Sequence, residues 1–178
     1  PGKVENIYVY DTSTRAWSQG ASMIIPREGG SSVVHANKIY VFGGVNAYAD
    51  EHDDDHRDEH DDDHGDDHGD AEEVDYVRQV EVFDTETESW SIATDMPELS
   101  ARRGLCSEVI DNIVYVMGGE NSSGVSNRLD TYDLYSKIWS IAADLPVGVS
   151  YAGSIAYDGY IGIAGGQTEY GNLWAAGA

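Results

Sequence analysis

The sequence is short of cysteine, proline and positive charge. Its 178 residues include one cysteine, four prolines and ten lysines and arginines, against 33 aspartates and glutamates. A single cysteine excludes an internal disulfide, so the fold has to depend on packing and hydrogen bonds. The formal net charge of −23 disfavours a nucleic-acid partner. The chain also lacks an apolar run long enough to cross a bilayer, so no membrane association is expected.

Short motifs that mark common enzyme sites are missing as well. The sequence contains no phosphate-binding loop, no nucleophile elbow and no HExxH zinc motif. Outside residues 50–73 the chain has one histidine, His35. These gaps favour a non-catalytic protein. The composition leaves the compartment open, with an extracellular setting slightly favoured.

What the chain does contain is a repeat built from three short motifs. A glycine doublet closes three apolar runs, and three aromatic-aspartate pairs are each followed by a tryptophan six residues after the aspartate. The doublets are Gly43-Gly44, Gly118-Gly119 and Gly165-Gly166; the pairs are Tyr10-Asp11, Phe83-Asp84 and Tyr132-Asp133; the tryptophans are Trp17, Trp90 and Trp139. Trp90 and Trp139 are 49 residues apart. A period of about 20 to 50 residues is typical of solenoids and propellers.

Each repeat unit is predicted to form four short antiparallel strands, which is the architecture of a propeller blade. The predicted first strands are residues 30–35, 105–110 and 153–157, the second strands 38–42, 113–117 and 160–164, and the third strands 6–10, 79–83 and 128–132. The fourth strand begins near each tryptophan. The glycine doublet is expected to adopt positive φ, and the tryptophan to fill the space between neighbouring units.

The doublet glycine, the aromatic-aspartate pair and the tryptophan at this spacing resemble kelch repeats. The resemblance covers nearly all of the chain outside residues 50–73. It implies an all-β fold of kelch-type propeller blades, whose loop faces bind protein partners. Some kelch-like propellers are sugar oxidases or epimerases, so the alternative is a fragment of such an enzyme whose site lies outside this chain.

The sequence divides into three segments. Residues 1–49 supply a half blade and the start of the first full blade, residues 50–73 form an insertion, and residues 74–178 supply the rest of that blade, a second blade and another half blade. The sum is about three blades, whereas propellers have about four to eight. We therefore expect either a fragment of a larger propeller or a subunit that assembles with other copies of itself.

The insertion carries histidine at every fourth position among acidic residues. It holds 15 of the 33 aspartates and glutamates. The candidate metal ligands are His52, His56, His60, His64, His68, Asp53, Asp55, Asp61 and Asp63. Imidazole suits zinc, copper and nickel, and carboxylates suit calcium, so a divalent cation of one of these kinds is the expected cofactor. The alternative is a solvated low-complexity loop that binds ions only loosely.

Strand direction places the insertion on one face of the repeat. In an antiparallel unit, the loop after the second strand emerges on the same side as the connection from one unit to the next. That face should also carry Arg27, Arg102 and Arg103. These arginines are the predicted partner-binding surface, although ordinary solvated loop charge would give the same pattern.

Overall fold

The computed structural model describes residues 6–46 and 74–169. Its regular elements are strands, apart from one turn of 3₁₀ helix at Glu98–Ser100. The strands are β1 Asn6–Asp11, β2 Ala16–Ser22, β3 Arg27–Glu28, β4 Ser31–His35, β5 Lys38–Phe42, β6 Val45–Asn46, β7 Gln79–Asp84, β8 Ser89–Asp95, β9 Arg103–Ile110, β10 Ile113–Asn121, β11 Gly124–Val125, β12 Leu129–Asp133, β13 Ile138–Ile141, β14 Gly153–Tyr157 and β15 Tyr160–Ala164.

The strands form two complete four-stranded units and two halves. The first blade has the order β4-β5-β7-β8, and the second has β9-β10-β12-β13 with β11 added beside β10. The hairpin β1-β2 is the N-terminal half blade, and β14-β15 is the C-terminal half blade. All of these pairings are antiparallel. The predicted fold class is confirmed, and the predicted strands agree with the observed ones to within a few residues.

The hydrophobic core lies between the two complete blades. Val33 and Phe42 of the first blade pack against Leu105, Val114 and other buried residues of the second. The rings of Phe42 and Trp139 meet edge to face, with centroids 6.1 Å apart. Trp139 therefore packs between two neighbouring units, as the sequence predicted, and the structure shows that it contacts the second strand of the preceding unit.

The aspartate of each aromatic-aspartate pair closes a tight turn. One carboxylate oxygen of Asp133 accepts hydrogen bonds from the backbone N–H groups of Tyr135 and Ser136, at 2.8 and 3.1 Å. Asp11 does the same and also accepts from the hydroxyl of Ser13. These bonds lower the pKa of Asp11 to about 2, and the Ser13 hydroxyl contributes most. The aspartate therefore shapes the turn between the third and fourth strands.

The glycine doublets let the backbone of one unit approach the next. Gly118 has φ +60°, and a Cβ added there would lie 2.3 Å from the carbonyl oxygen of Val149. The neighbouring Gly119 N–H donates to that same oxygen at 2.7 Å. Gly44 donates to the carbonyl of Arg102 in the equivalent place, at 2.9 Å. The predicted positive φ is confirmed. This conformation lets the second glycine of the doublet donate a backbone hydrogen bond to the next unit.

Candidate interaction surface

The candidate site lies at the loop edge of the blades. We use this name for the edge that carries the connections between units, residues 23–30, 96–104 and 142–152, and the connections after the second strands. The opposite edge carries the hairpin turns, where the N–H of Leu134 donates to the carbonyl of Asn112. All three arginines of the predicted partner-binding surface lie within the connections on the loop edge.

Arg27 is held inside the first blade. Its guanidinium group pairs with the carboxylate of Glu81, and the two side chains are 2% and 0% exposed. Two of its N–H groups also donate to the carbonyls of Gly43 and Gln79, at 3.1 and 2.9 Å. Glu81 additionally accepts from the backbone N–H of Ile24 at 2.7 Å. This arginine ties the connection before β4 to β5 and β7.

Arg102 repeats the arrangement in the second blade. Its guanidinium group pairs with Asp130 at 2.9 Å, and both side chains are 1% exposed. It also donates to the carbonyls of Ser100, Val116 and Gly118. We call the Arg27–Glu81 and Arg102–Asp130 pairs, with these carbonyl bonds, the two arginine clamps.

The clamps change the assignment made from the sequence for two of the three arginines. Desolvation by burial lowers the pKa of Arg27 and of Arg102. From the sequence, both were predicted to lie on a surface that faces a partner. The structure places their side chains inside the blades, because a buried carboxylate and several carbonyls surround each guanidinium group. In the part of the chain that the structure describes, these two side chains hold the strands of a blade together.

Arg103 differs, because it reaches a partly exposed polar cluster. Its Nε donates to Glu120 at 3.0 Å, and its side chain is 36% exposed. The hydroxyls of Ser150 and Tyr151 donate to the same carboxylate at 3.2 and 3.4 Å. The hydrogen bond with Glu120 raises the pKa of Arg103, and burial raises the pKa of Tyr151. We call these four residues the Arg103–Tyr151 cluster.

The backbone positions Tyr151 in a place where the other units have glycine. Tyr151 has φ +54°, and its N–H donates to the carbonyl of Gly104 at 2.6 Å. Gly104 donates in the same way to Gly29, at 2.7 Å. A Cβ on Gly104 would lie 2.9 Å from the ring of Tyr151. The tyrosine ring therefore lies against Gly104, and 49% of the residue remains exposed.

The ends of the insertion meet at one point on this loop edge. The N–H of Asn46 donates to the carbonyl of Asp75 at 2.8 Å, and that of Val77 donates to the carbonyl of Gly44 at 2.9 Å. The strand β6 also pairs with β3, so that Arg27 lies opposite Asn46. The insertion therefore leaves from the edge that carries the three arginines, as the strand directions predicted.

The predicted metal ligands lie outside the described residues. All nine of them fall in residues 47–73: His52, His56, His60, His64, His68, Asp53, Asp55, Asp61 and Asp63. Within residues 6–46 and 74–169, no group of three or more histidine, cysteine, aspartate or glutamate side chains is placed to hold a metal ion.

The acidic partners of the arginines were not identified from the sequence. Glu81 and Asp130 each stand three residues before the aspartate that ends the third strand. That shared position was a usable signal, since Arg27 and Arg102 also share a repeat position. Glu120 and Tyr151 have no such repeat signature, and only the folded structure brings them together with Arg103.

Comparison with known proteins identifies relatives of the repeat units. Models of the Kelch motif match residues 26–97 and 101–146. Kelch-like protein 25 of Xenopus tropicalis is 26% identical over 170 residues, which cover 95% of this chain and 26% of that protein. Spermatocyte protein spe-26 of Caenorhabditis elegans is 30% identical over 138 residues, which cover 76% of this chain and 20% of that protein. The chain thus spans about a quarter or less of the length of these relatives.

A solved structure shares the fold. The structure of YjhT superposes with a TM-score of 0.60 at 18% sequence identity, covering 84% of this chain and 37% of that one. At this identity the likeness concerns the fold alone. Among the helical residues that the structure describes, no helix has the length and apolar character needed to cross a membrane.

Proposed function

Because the chain belongs to the kelch-repeat family of β-propeller proteins, we propose that it is a non-catalytic interaction module with a cation-binding insertion. The observation that carries the proposal is the Arg103–Tyr151 cluster, which lies partly exposed on the loop edge. Within the described residues, no observation favours the alternative of a propeller enzyme. The partner is another protein that contacts this loop edge.

The chemistry of the cluster suits a protein interface. Tyrosine and arginine are enriched in the residues that contribute most to binding between proteins. Here Glu120 holds both side chains in place through two hydrogen bonds, so less side-chain entropy is lost on binding. The cluster offers a ring face, a guanidinium group and a carboxylate, and a polar peptide or loop could contact all three.

A position-specific crosslink tests the interaction surface. A photoreactive amino acid at Tyr151 should capture a partner in cells, whereas the same group at Tyr135, which is 89% exposed on the hairpin-turn edge, should not. Arg103→Glu should then weaken binding of the captured protein about tenfold or more, because it places a second carboxylate beside Glu120. Equal capture at both positions, or unchanged binding by the Arg103 variant, would refute this surface.

The cation-binding half of the proposal rests on the ligand pattern and on the anchored ends of the insertion. Histidines at a four-residue interval alternate with carboxylates, so any compact arrangement brings several ligands near one another. The two bonds between Asn46 and Asp75 already close the base of the loop, at 2.8 and 3.0 Å. Closing the loop this way removes part of the entropy cost of gathering its ligands.

Calorimetric titration tests this half independently of any partner. Zinc and calcium should each be titrated into the full chain, into a variant with His52, His56, His60, His64 and His68 changed to asparagine, and into a matched His35→Asn control. We expect the full chain to bind zinc saturably. The variant with five replaced histidines should lose this binding, and the His35→Asn control should retain it. Binding that is equal in all three proteins, or undetectable for every ion tested, would eliminate the proposed cation site.

A further inference from the structure

Each arginine clamp is preceded by an exposed aliphatic residue on the loop edge. Ile24 stands three residues before Arg27, and Leu99 stands three residues before Arg102. Ile24 is 51% exposed and Leu99 is 78% exposed. Single exposed aliphatic residues are common on protein surfaces. Here, however, the exposure recurs at one repeat position in two neighbouring complete blades.

The clamps hold the backbone beside both aliphatic residues in place. The N–H of Ile24 donates to the buried carboxylate of Glu81 at 2.7 Å. The carbonyl of Ser100, the residue after Leu99, accepts from the guanidinium group of Arg102 at 2.7 Å. Because a buried ion pair fixes each connection, little conformational entropy is lost when a partner contacts these two side chains.

The exposed acidic residues of the loop edge have no countercharge in the part of the chain that the structure describes. These residues are Glu28, Asp75, Glu98, Asp144 and Glu169, and none of them forms an ion pair within residues 6–46 and 74–169. The arginines of this edge are already bonded to carboxylates or backbone carbonyls: Arg27, Arg78, Arg102, Arg103 and Arg128. A partner that approaches this edge therefore meets unpaired negative charge.

Glu28 connects this acidic surface with the Arg103–Tyr151 cluster. It precedes Gly29, whose carbonyl accepts from Gly104 at 2.7 Å, and the carbonyl of Gly104 accepts in turn from Tyr151 at 2.6 Å. Burial is the main cause of the raised pKa of Tyr151, and the negative charge of Glu28 adds to it. A cationic side chain placed here would meet both the carboxylate of Glu28 and the exposed ring of Tyr151.

The charge of this surface distinguishes between its possible occupants. The insertion of this chain holds 15 of the 33 aspartates and glutamates, so the carboxylates of the loop edge would repel it. A second copy of the chain would bring the same carboxylates to the contact. A basic segment of another protein is attracted by all of them, and electrostatic attraction of this kind also speeds association.

We propose that the loop edge binds a basic, amphipathic segment of a partner protein. Aliphatic side chains of the segment contact Ile24 and Leu99, and its lysine or arginine side chains pair with Glu28 and Glu98. The terminal N–H groups of Arg103, which have no acceptor among the described residues, donate to main-chain carbonyls of the segment. This inference rests on the proposed interaction surface and names the chemistry of its partner. It does not depend on the cation site.

Selection from a displayed library of random peptides tests the chemistry of the segment. The targets are the full chain and a variant in which a glycine-serine linker replaces residues 50–73, because the acidic insertion also attracts basic peptides. We expect both targets to enrich the same peptides, which combine lysine or arginine with aliphatic residues. A selected pool that is not enriched in basic residues would overturn the proposal. Peptides that bind only the full chain bind the insertion, and peptides that bind only the linker variant show that the insertion occupies the surface; either result would also overturn it.

Substitutions on the loop edge locate the bound peptide. Glu28→Lys, Glu98→Lys and Leu99→Asn should each raise the dissociation constant of the selected peptides about tenfold, because they introduce like charge or remove the aliphatic contact. Glu86→Lys is the matched control, since Glu86 is exposed on the hairpin-turn edge, and it should leave the affinity unchanged. Equal effects of Glu28→Lys and Glu86→Lys, or unchanged binding by Leu99→Asn, would contradict the proposal.

The protein captured by the photoreactive group at Tyr151 separates this inference from the interaction surface itself. Glu28→Lys should weaken binding of that protein as it weakens binding of the peptides. If the captured protein binds the Glu28→Lys variant more tightly, its contacting segment is acidic, so the surface remains but the proposed chemistry is wrong. If the group at Tyr151 captures no more than the group at Tyr135, both the surface and this inference fail.

Discussion

Replacing Asp130 with alanine is expected to lower the free energy of unfolding by about 3–5 kcal/mol, the range for removing one partner of a buried ion pair. Asp130 is 1% exposed and is the carboxylate that pairs with Arg102 in the second clamp. Without it, the guanidinium group of Arg102 keeps its bonds to backbone carbonyls but loses its countercharge. Urea unfolding followed by circular dichroism gives the measurement.

Glu120→Ala is the matched control for that variant. Glu120 also pairs with an arginine of the second blade, but the side chains of Arg103 and Glu120 are 36% and 22% exposed. Water can solvate Arg103 when the carboxylate is removed, so the expected loss is about 0–1 kcal/mol. Equal losses for Asp130→Ala and Glu120→Ala would mean that burial does not determine the strength of these pairs.

The strands were predictable because their signals are local. Each glycine doublet, aspartate turn and hairpin turn lies within a few residues of the strand it ends, and the repetition of these motifs fixed the order of the strands. The tryptophan contact with the preceding unit was predictable for a related reason, since the period of the repeat determines which surface faces which. Gly118 has the positive φ expected from the sequence.

The surroundings of the arginines were not predictable in the same way. Arg27 and Arg102 are in connections that approach solvent, and a charged residue in a loop is usually exposed. Their burial depends on carboxylates at positions 81 and 130, which are 54 and 28 residues away in the chain. The Arg103–Tyr151 cluster depends likewise on a contact between the second blade and the C-terminal half blade. Such contacts depend on how the units pack against each other, so no local sequence pattern predicts them.

Gly118→Ala should be the most damaging small substitution, with an expected loss of about 2–5 kcal/mol from backbone strain and overpacking together. The alanine would have to adopt φ near +60°, and its Cβ would lie 2.3 Å from the carbonyl oxygen of Val149. Relief requires the C-terminal half blade to move away from the second blade. That movement would weaken the 2.7 Å bond from Gly119 to Val149.

Gly165→Ala separates these two causes. Gly165 has a similar φ of +72°, but no atom of residues 6–46 or 74–169 lies within 4 Å of a Cβ added there. Thermal or urea unfolding of the dilute chain should therefore show backbone strain alone, a loss of about 1–2 kcal/mol. If the two variants lose the same free energy of unfolding, the close approach of the Val149 carbonyl to Gly118 has no energetic cost.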